Sequence, residues 1–150
     1  MKPRNNVIAY KTKTIFFMAA LYLLLSADLL CAGSMAPEHI EGARTINTAT
    51  AKLLFDKKYR FIDVRGFDDY KTAHIPEAHH LSIKHNFTEQ NLRKIVEKAQ
   101  PVVFYCNGIS CMGSSIATQQ AVAWGWSNVF YYREGIKDWK QEGYSVQSID

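Results

Sequence analysis

The sequence predicts an α/β domain: a parallel sheet of about five strands with helices on both faces. Three observations carry this. Short β-prone runs alternate with amphipathic segments along most of the chain. One of these runs, Val102-Val103-Phe104-Tyr105, is apolar throughout, as a central strand of a parallel sheet should be. Finally, 47% hydrophobic and 21% charged residues make a globular composition, with room for one ordinary domain in 150 residues.

The elements follow in order. Ala43-Arg44-Thr45-Ile46 forms the first strand. Thr48 to Lys58 places Ala51, Leu53, Leu54 and Phe55 at near-helical spacing, with Thr48 as its expected cap. Arg60 to Val64 is a buried strand ending in charge, and Phe67 to Thr72 a short helix. Ala78 to Ile83 is strand-like. Thr88 to Ala99 is amphipathic, with Leu92, Ile95 and Val96 on one face. The Pro101 to Tyr105 strand leads to a helix over Gly113 to Trp124. Asn128 to Tyr131 is the last strand, and Ile136 to Glu142 the last helix, closed by Gly143.

Ahead of the domain lies a leader. Lys2, Arg4, Lys11 and Lys13 make a positive start, Ile15 to Ala27 an apolar run, and Cys31-Ala32-Gly33-Ser34 a stretch of small residues. This is the layout of a signal peptide over 1–34, with cuts expected after Ala32 or Ser34. The run is short for a span of about 20 residues, and Asp28 interrupts it. A cleaved signal is therefore favoured over an uncleaved anchor or lipid attachment at Cys31. The expected location is exported and periplasmic, with anchorage to the inner membrane facing the periplasm as the alternative. Residues 35–42 read as a linker, and 43–150 as the domain.

Four positive charges lie in the leader, so the formal +4 of the whole chain leaves a nearly neutral domain. No basic patch argues for nucleic acid, and membrane contact is expected only through an uncleaved leader. A monomer is expected.

Open α/β sheets bind ligands beyond the carboxyl ends of their strands. That places Cys106-Asn107-Gly108-Ile109-Ser110-Cys111-Met112 at the candidate site. Gly108 and Gly113 permit unusual torsions. A loop curled around the thiol would aim its amides inward, and the following helix N-terminus would add positive potential. Such settings lower a cysteine pKa from about 8.5 to about 3.5–7.5, which makes Cys106 an exposed thiolate nucleophile. The partner Cys111 reads either as a resolving thiol, able to turn a persulfide or sulfenate into a disulfide, or as packing. His79, His80 and His85 fit no standard zinc spacing with these cysteines, so no metal site is expected.

Four stretches resemble motifs of the rhodanese-like family. They are Phe61-Ile62-Asp63-Val64-Arg65; Phe67 to Ala78, containing His74-Ile75-Pro76; Val102 to Cys106; and Tyr132 to Trp139 with Gly143-Tyr144. The match runs from about Arg44 to Val146. The resemblance implies a single-domain sulfurtransferase with that family's fold. Its Cys106 would accept sulfur from thiosulfate or a persulfide and hold it as a persulfide. Asn107, Gly108, Ile109, Ser110, Cys111 and Met112 would form the substrate loop. The sulfur would then pass to a thiol or cyanide, with no cofactor. Asp63 and Arg65 would brace the loops, and His74 would be a hydrogen-bonded turn residue.

The departures are specific. Residues 107–112 contain no cation, whereas many members hold the anionic donor with one. Ala73, Glu77 and Glu134 replace usual glycines. Phosphatases and arsenate reductases of related fold need Arg six positions after the cysteine, where Met112 stands, and a thioredoxin-like enzyme needs Cys-x-x-Cys. The alternative function is a low-turnover sulfur carrier or redox-sensing module using the Cys106/Cys111 pair.

Overall fold

The computed structural model describes residues 35–149; the leader reading falls outside them. Five strands form one all-parallel sheet in the order β1-β5-β4-β2-β3. They are β1 (Ala43–Ile46), β2 (Arg60–Asp63), β3 (His79–His80), β4 (Val102–Tyr105) and β5 (Val129–Tyr132). Five helices connect or follow them: α1 (Thr48–Asp56), α2 (Phe67–Thr72), α3 (Glu89–Arg93), α4 (Gly113–Ala123) and α5 (Gly135–Gln141). Among the described residues no helix is long and apolar enough to cross a membrane.

The period-two alternation of strands sorts side chains into two cores. On one face Ile62, Val64, Val102, Phe104 and Cys106 meet Ala117 and Ala121 of α4, with Leu92 and Val96 from the α3 region. On the other, Phe61, Val103, Tyr105, Phe130 and Tyr132 meet Ala51 and Leu54 of α1 and Ile136 and Trp139 of α5. Every residue of β4 and β5 is buried. Coverage on both sides explains why these strands are continuously apolar.

Several boundaries differ from expectation. The cap of α1 is Asn47, whose side chain accepts from the Thr50 amide at 2.9 Å. Thr48 is free for a tertiary role. Its amide and hydroxyl donate to Glu134 Oε2 at 2.8 and 2.9 Å, and the hydroxyl also meets Tyr132 and Asp138. Glu134, one of the residues standing where a glycine is usual, thus ties the turn before α5 to the start of α1, where an anion is favoured.

The helix expected over Thr88 to Ala99 is only Glu89–Arg93. The amides of Ile95 and Val96 both donate to Leu92 O at 3.0 Å, a tightening that ends the helix while keeping Leu92 and Val96 inside. The third strand shortens to two residues because it is an edge strand that leaves β2 at once. Only the Leu81 and Ile83 amides, bonded to Asp63 O and Val64 O at 3.0 Å, continue the contact.

Candidate active site

Cys106 directly follows β4, and the chain from it to Met112 forms the loop that enters α4. Neighbouring segments hold this loop by its carbonyls. The α5 amides of Ile136 and Lys137 donate to Cys106 O and Asn107 O at 3.0 and 3.1 Å. That approach requires Gly135: its φ is +65°, and a Cβ there would lie 2.3 Å from Cys106 O. The Ala36 amide donates to Ile109 O at 2.8 Å, while Arg133 Nε and Nη2 donate to Ala36 O at 3.0 and 2.9 Å. The stretch 35–42 therefore packs on the domain, with Ala36 and Ile40 buried.

Within the loop, the Cys111 amide donates to Gly108 O at 2.9 Å, and Ser115 Oγ donates to Met112 O at 2.8 Å. Among the described residues, Cys111 is the one member of 107–112 whose amide is spent on a protein acceptor. The amides of Asn107, Ser110 and Met112, residues that line the cavity described below, have no protein acceptor and are open to an anion.

The sulfur itself departs from expectation. Cys106 is 3% exposed and disulfide-bonded to Cys111 across a Cα–Cα distance of 6.3 Å. It is neither an exposed thiol nor a free thiolate in this form. Alternation along β4 puts it on the same face as Val102 and Phe104, against α4, and Cys111 closes over it.

The glycines also serve differently from the reading that they supply unusual torsions. Among the described residues the positive-φ glycines are Gly42, Gly125, Gly135 and Gly143, not Gly108 or Gly113. At Gly113 it is smallness that counts: a Cβ would sit 3.2 Å from Cys106 Sγ and 3.6 Å from Cys111 Sγ.

Above the pair opens a cavity of about 720 Å³, within the range of small-molecule sites. Val64, Ile83 and Ile116 give it apolar walls, and Arg65, Asp69 and Lys84 supply charge. Asn107, Ser110, Cys111 and Met112 of the predicted loop line it together with Cys106, whereas Gly108 and Ile109 lie on the opposite side, against Arg133 and Lys137.

Asp63 and Arg65 are both buried and paired. Arg65 Nε donates to both Asp63 oxygens at 2.9 and 3.1 Å, and Nη2 reaches Oδ2 at 2.6 Å. The same guanidinium donates to Ala73 O at 2.6 Å and to Asn107 Oδ1 at 3.2 Å, so it links β2, the chain after α2 and the cysteine loop. Burial disfavours its charge, but the hydrogen bond and charge of Asp63 outweigh this and raise its pKa above the ordinary arginine value. Tyr105 Oη accepts from the Ile75 amide at 3.1 Å. Its pKa is driven well up by burial, and further by the negative charge of Asp63.

His74 Nδ1 lies 2.8 Å from Tyr70 O, and His80 Nε2 lies 2.9 Å from Arg65 O. Tyr70 is stacked between the two imidazoles, at 4.0 and 4.7 Å between ring centroids. Both histidines are thus engaged in holding α2 and β3 beside the site.

Lys84 is the residue that sequence reasoning missed. It follows β3 rather than β4, and the available signal was its place just beyond the carboxyl end of a parallel strand, where such loops converge. The cation-free loop is therefore not a cation-free cavity.

Comparison with known proteins agrees with this geometry. Residues 47–142 match the family model for the rhodanese-like domain. Over 107 residues the chain is 28% identical to the thiosulfate sulfurtransferase GlpE of Vibrio cholerae serotype O1, covering 69% of this chain and 92% of that one. Over 93 residues it is 29% identical to a tRNA uridine(34) hydroxylase of Buchnera aphidicola, covering 56% of this chain but only 27% of the hydroxylase. The BH2092 protein of Bacillus halodurans superposes with a TM-score of 0.63 at 25% identity, over 71% of this chain and 77% of that one. A polysulfide-sulfur transferase homodimer of Wolinella succinogenes shares the fold at 22% identity and a TM-score of 0.58, over 71% and 80% of the respective chains.

Proposed function

Because the chain belongs to the rhodanese-like family, we propose that it is a sulfurtransferase that loads sulfur onto Cys106 and passes it to a thiol or to cyanide. The observation that carries this reading is the position of Cys106: at the carboxyl end of the central strand, on the floor of the 720 Å³ cavity, beside loop amides not committed to the protein.

The disulfide must first be opened by a thiol reductant. The Cys106 thiolate then attacks the outer sulfur of the donor. A Cys106 sulfur–sulfur bond forms, the donor's own sulfur–sulfur bond breaks, and sulfite or a thiolate leaves. Loop amides and the N-terminus of α4 stabilise the anionic persulfide. An acceptor thiolate or cyanide attacks the outer sulfur and regenerates the Cys106 thiolate, the ping-pong course of covalent catalysis.

The absence of a cation in 107–112 favours a persulfide or another weakly charged donor over thiosulfate. Lys84, elsewhere in the cavity lining, supplies a charge that a donor's anionic group could meet. A thiocyanate-forming assay on the reduced protein, run with thiosulfate and with a persulfide donor, tests this. Turnover with either donor, lost in Cys106→Ala, supports the reading; absence of turnover with both refutes it.

The Cys106–Cys111 disulfide favours a second reading, a low-turnover sulfur carrier or redox-sensing module. A protein that binds one sulfur per Cys106 yet turns over no faster than the uncatalysed reaction would establish it. We further propose that the protein acts outside the cytoplasm as a monomer. The intact mass of the exported protein, with and without reductant, reports leader removal and any bound sulfur together.

A further inference from the structure

We propose that Cys111 resolves the Cys106 persulfide and releases hydrosulfide, so that the site reduces sulfane sulfur with electrons from an external dithiol. This rests on the proposed transfer of sulfur to Cys106. In the resolving step the Cys111 thiolate attacks Cys106 Sγ. The Cys106–Cys111 bond forms, and the bond from Cys106 Sγ to the outer sulfur breaks. The outer sulfur takes up a proton from solvent and leaves as hydrosulfide. It keeps the electron pair of the broken bond, a gain of one electron that the Cys111 sulfur loses, while Cys106 Sγ keeps its oxidation state. A dithiol then attacks the bridge, becomes a cyclic disulfide, and returns both cysteines to the thiol state.

Four observations carry the proposal. The product of that step, the Cys106–Cys111 bridge, is the state in which the structure stands. The 6.3 Å Cα–Cα distance lies within the range a bridge requires, so this backbone accommodates the product of the attack. The loop is pinned on both sides of Cys111, by the Cys111 amide on Gly108 O, the Ala36 amide on Ile109 O and Ser115 Oγ on Met112 O. The second thiol is thereby held beside the first, which favours intramolecular attack over capture by a dilute acceptor. Finally, Cys111 is partly exposed and lines the cavity while Cys106 is buried. A reductant therefore meets Cys111 first and expels the Cys106 thiolate, the leaving group that the loop amides stabilise.

The test is a single turnover without a thiol. The protein is reduced with dithiothreitol, freed of it, and mixed with excess thiosulfate or an aromatic thiosulfonate, whose leaving groups, sulfite and sulfinate, are not thiols. Leaving group and hydrosulfide are both measured, and the protein is weighed. The natural sequence should release one hydrosulfide per leaving group and end lighter by two hydrogens, as the disulfide. Cys111→Ser and Cys111→Ala are scored by the hydrosulfide released per leaving group formed, and far-ultraviolet circular dichroism reports that they fold. Their hydrosulfide should fall by about tenfold or more, and the protein should remain one sulfur atom heavier.

Leaving-group formation without hydrosulfide from the natural sequence, or equal hydrosulfide from the Cys111 variants, overturns the resolving role and leaves sulfur transfer standing. No leaving group from the natural sequence with either donor overturns sulfur transfer and this proposal together.

Discussion

Replacing Gly135 with alanine should destabilise the protein by several kilocalories through a contact between main chains. The residue sits at φ +65°, where a non-glycine residue costs about 1–2 kcal/mol. The new Cβ would also fall 2.3 Å from Cys106 O and 3.0 Å from the carbonyl carbons of Cys106 and Asn107. These atoms belong to a pinned backbone and cannot swing aside as a side chain can. The start of α5 must back away, which breaks the bonds from Ile136 and Lys137 to the loop, at about 0.5–1.5 kcal/mol each. Together the terms come to about 2–5 kcal/mol.

Gly143→Ala is the matched control. Gly143 has φ +75°, but nothing lies within 4 Å of its Cβ position. Only the torsional part, about 1–2 kcal/mol, applies there. Urea unfolding followed by tryptophan fluorescence would measure both, Trp126 and Trp139 being buried. Equal losses in the two variants, or a loss below about 0.5 kcal/mol in Gly135→Ala, would refute the argument that main-chain contact sets the effect. The proposed sulfur transfer should fall only in Gly135→Ala, because only that variant moves the carbonyl of Cys106.

Other expectations follow from the same contacts. Asp63→Asn leaves the Arg65 guanidinium buried without its carboxylate and should cost about 3–5 kcal/mol, read from the same urea curves; a loss under about 1 kcal/mol would mean that Ala73 and Asn107 suffice as partners. Arg133→Met removes both bonds to Ala36 O. It should cost about 1.5–3 kcal/mol and speed proteolysis near residue 36, and an unaltered cleavage pattern would count against the arm's being held this way. His79 has its pKa lowered, first by burial and then by the charge of Arg60. A lowered folded value means that the unfolded chain binds the proton more readily. Its contribution to stability is therefore full above the ordinary value of 6.5 and lost as pH falls through the lower folded value. The melting temperature of His79→Gln should accordingly decline less on acidification than that of the natural sequence; parallel declines would rule this out.

Much of the fold was legible because hydrophobic patterning and topology constrain each other. The apolar run at Val102 to Tyr105 identified the central strand, and its alternation decides which core Cys106 joins. What escaped were features made by contacts between distant segments. Thr48 has the chemistry of a cap, but Asn47 takes that place and Thr48 turns to Glu134. Gly108 and Gly113 read as sources of unusual torsions because they lie in the cysteine loop and at its exit, yet the positive φ that holds this loop belongs to Gly135, far along the chain. Lys84 had only its place after a strand end to mark it, and its part in the cavity comes from the sheet bringing the strand ends to one edge. Local pattern reports which face a residue occupies, but not what meets it there.

The arm at residues 35–42 has a practical consequence for anyone shortening this protein. The family match spans 47–142, but a fragment trimmed to it would lack the whole edge strand β1 paired with β5, the His74–Gln147 bridge, and the Ala36 clasp on Ile109. The smallest piece that preserves these contacts is thus larger than the piece that homology outlines. Affinity tags belong upstream of Met35, with enough slack that Ala36 can still reach its seat.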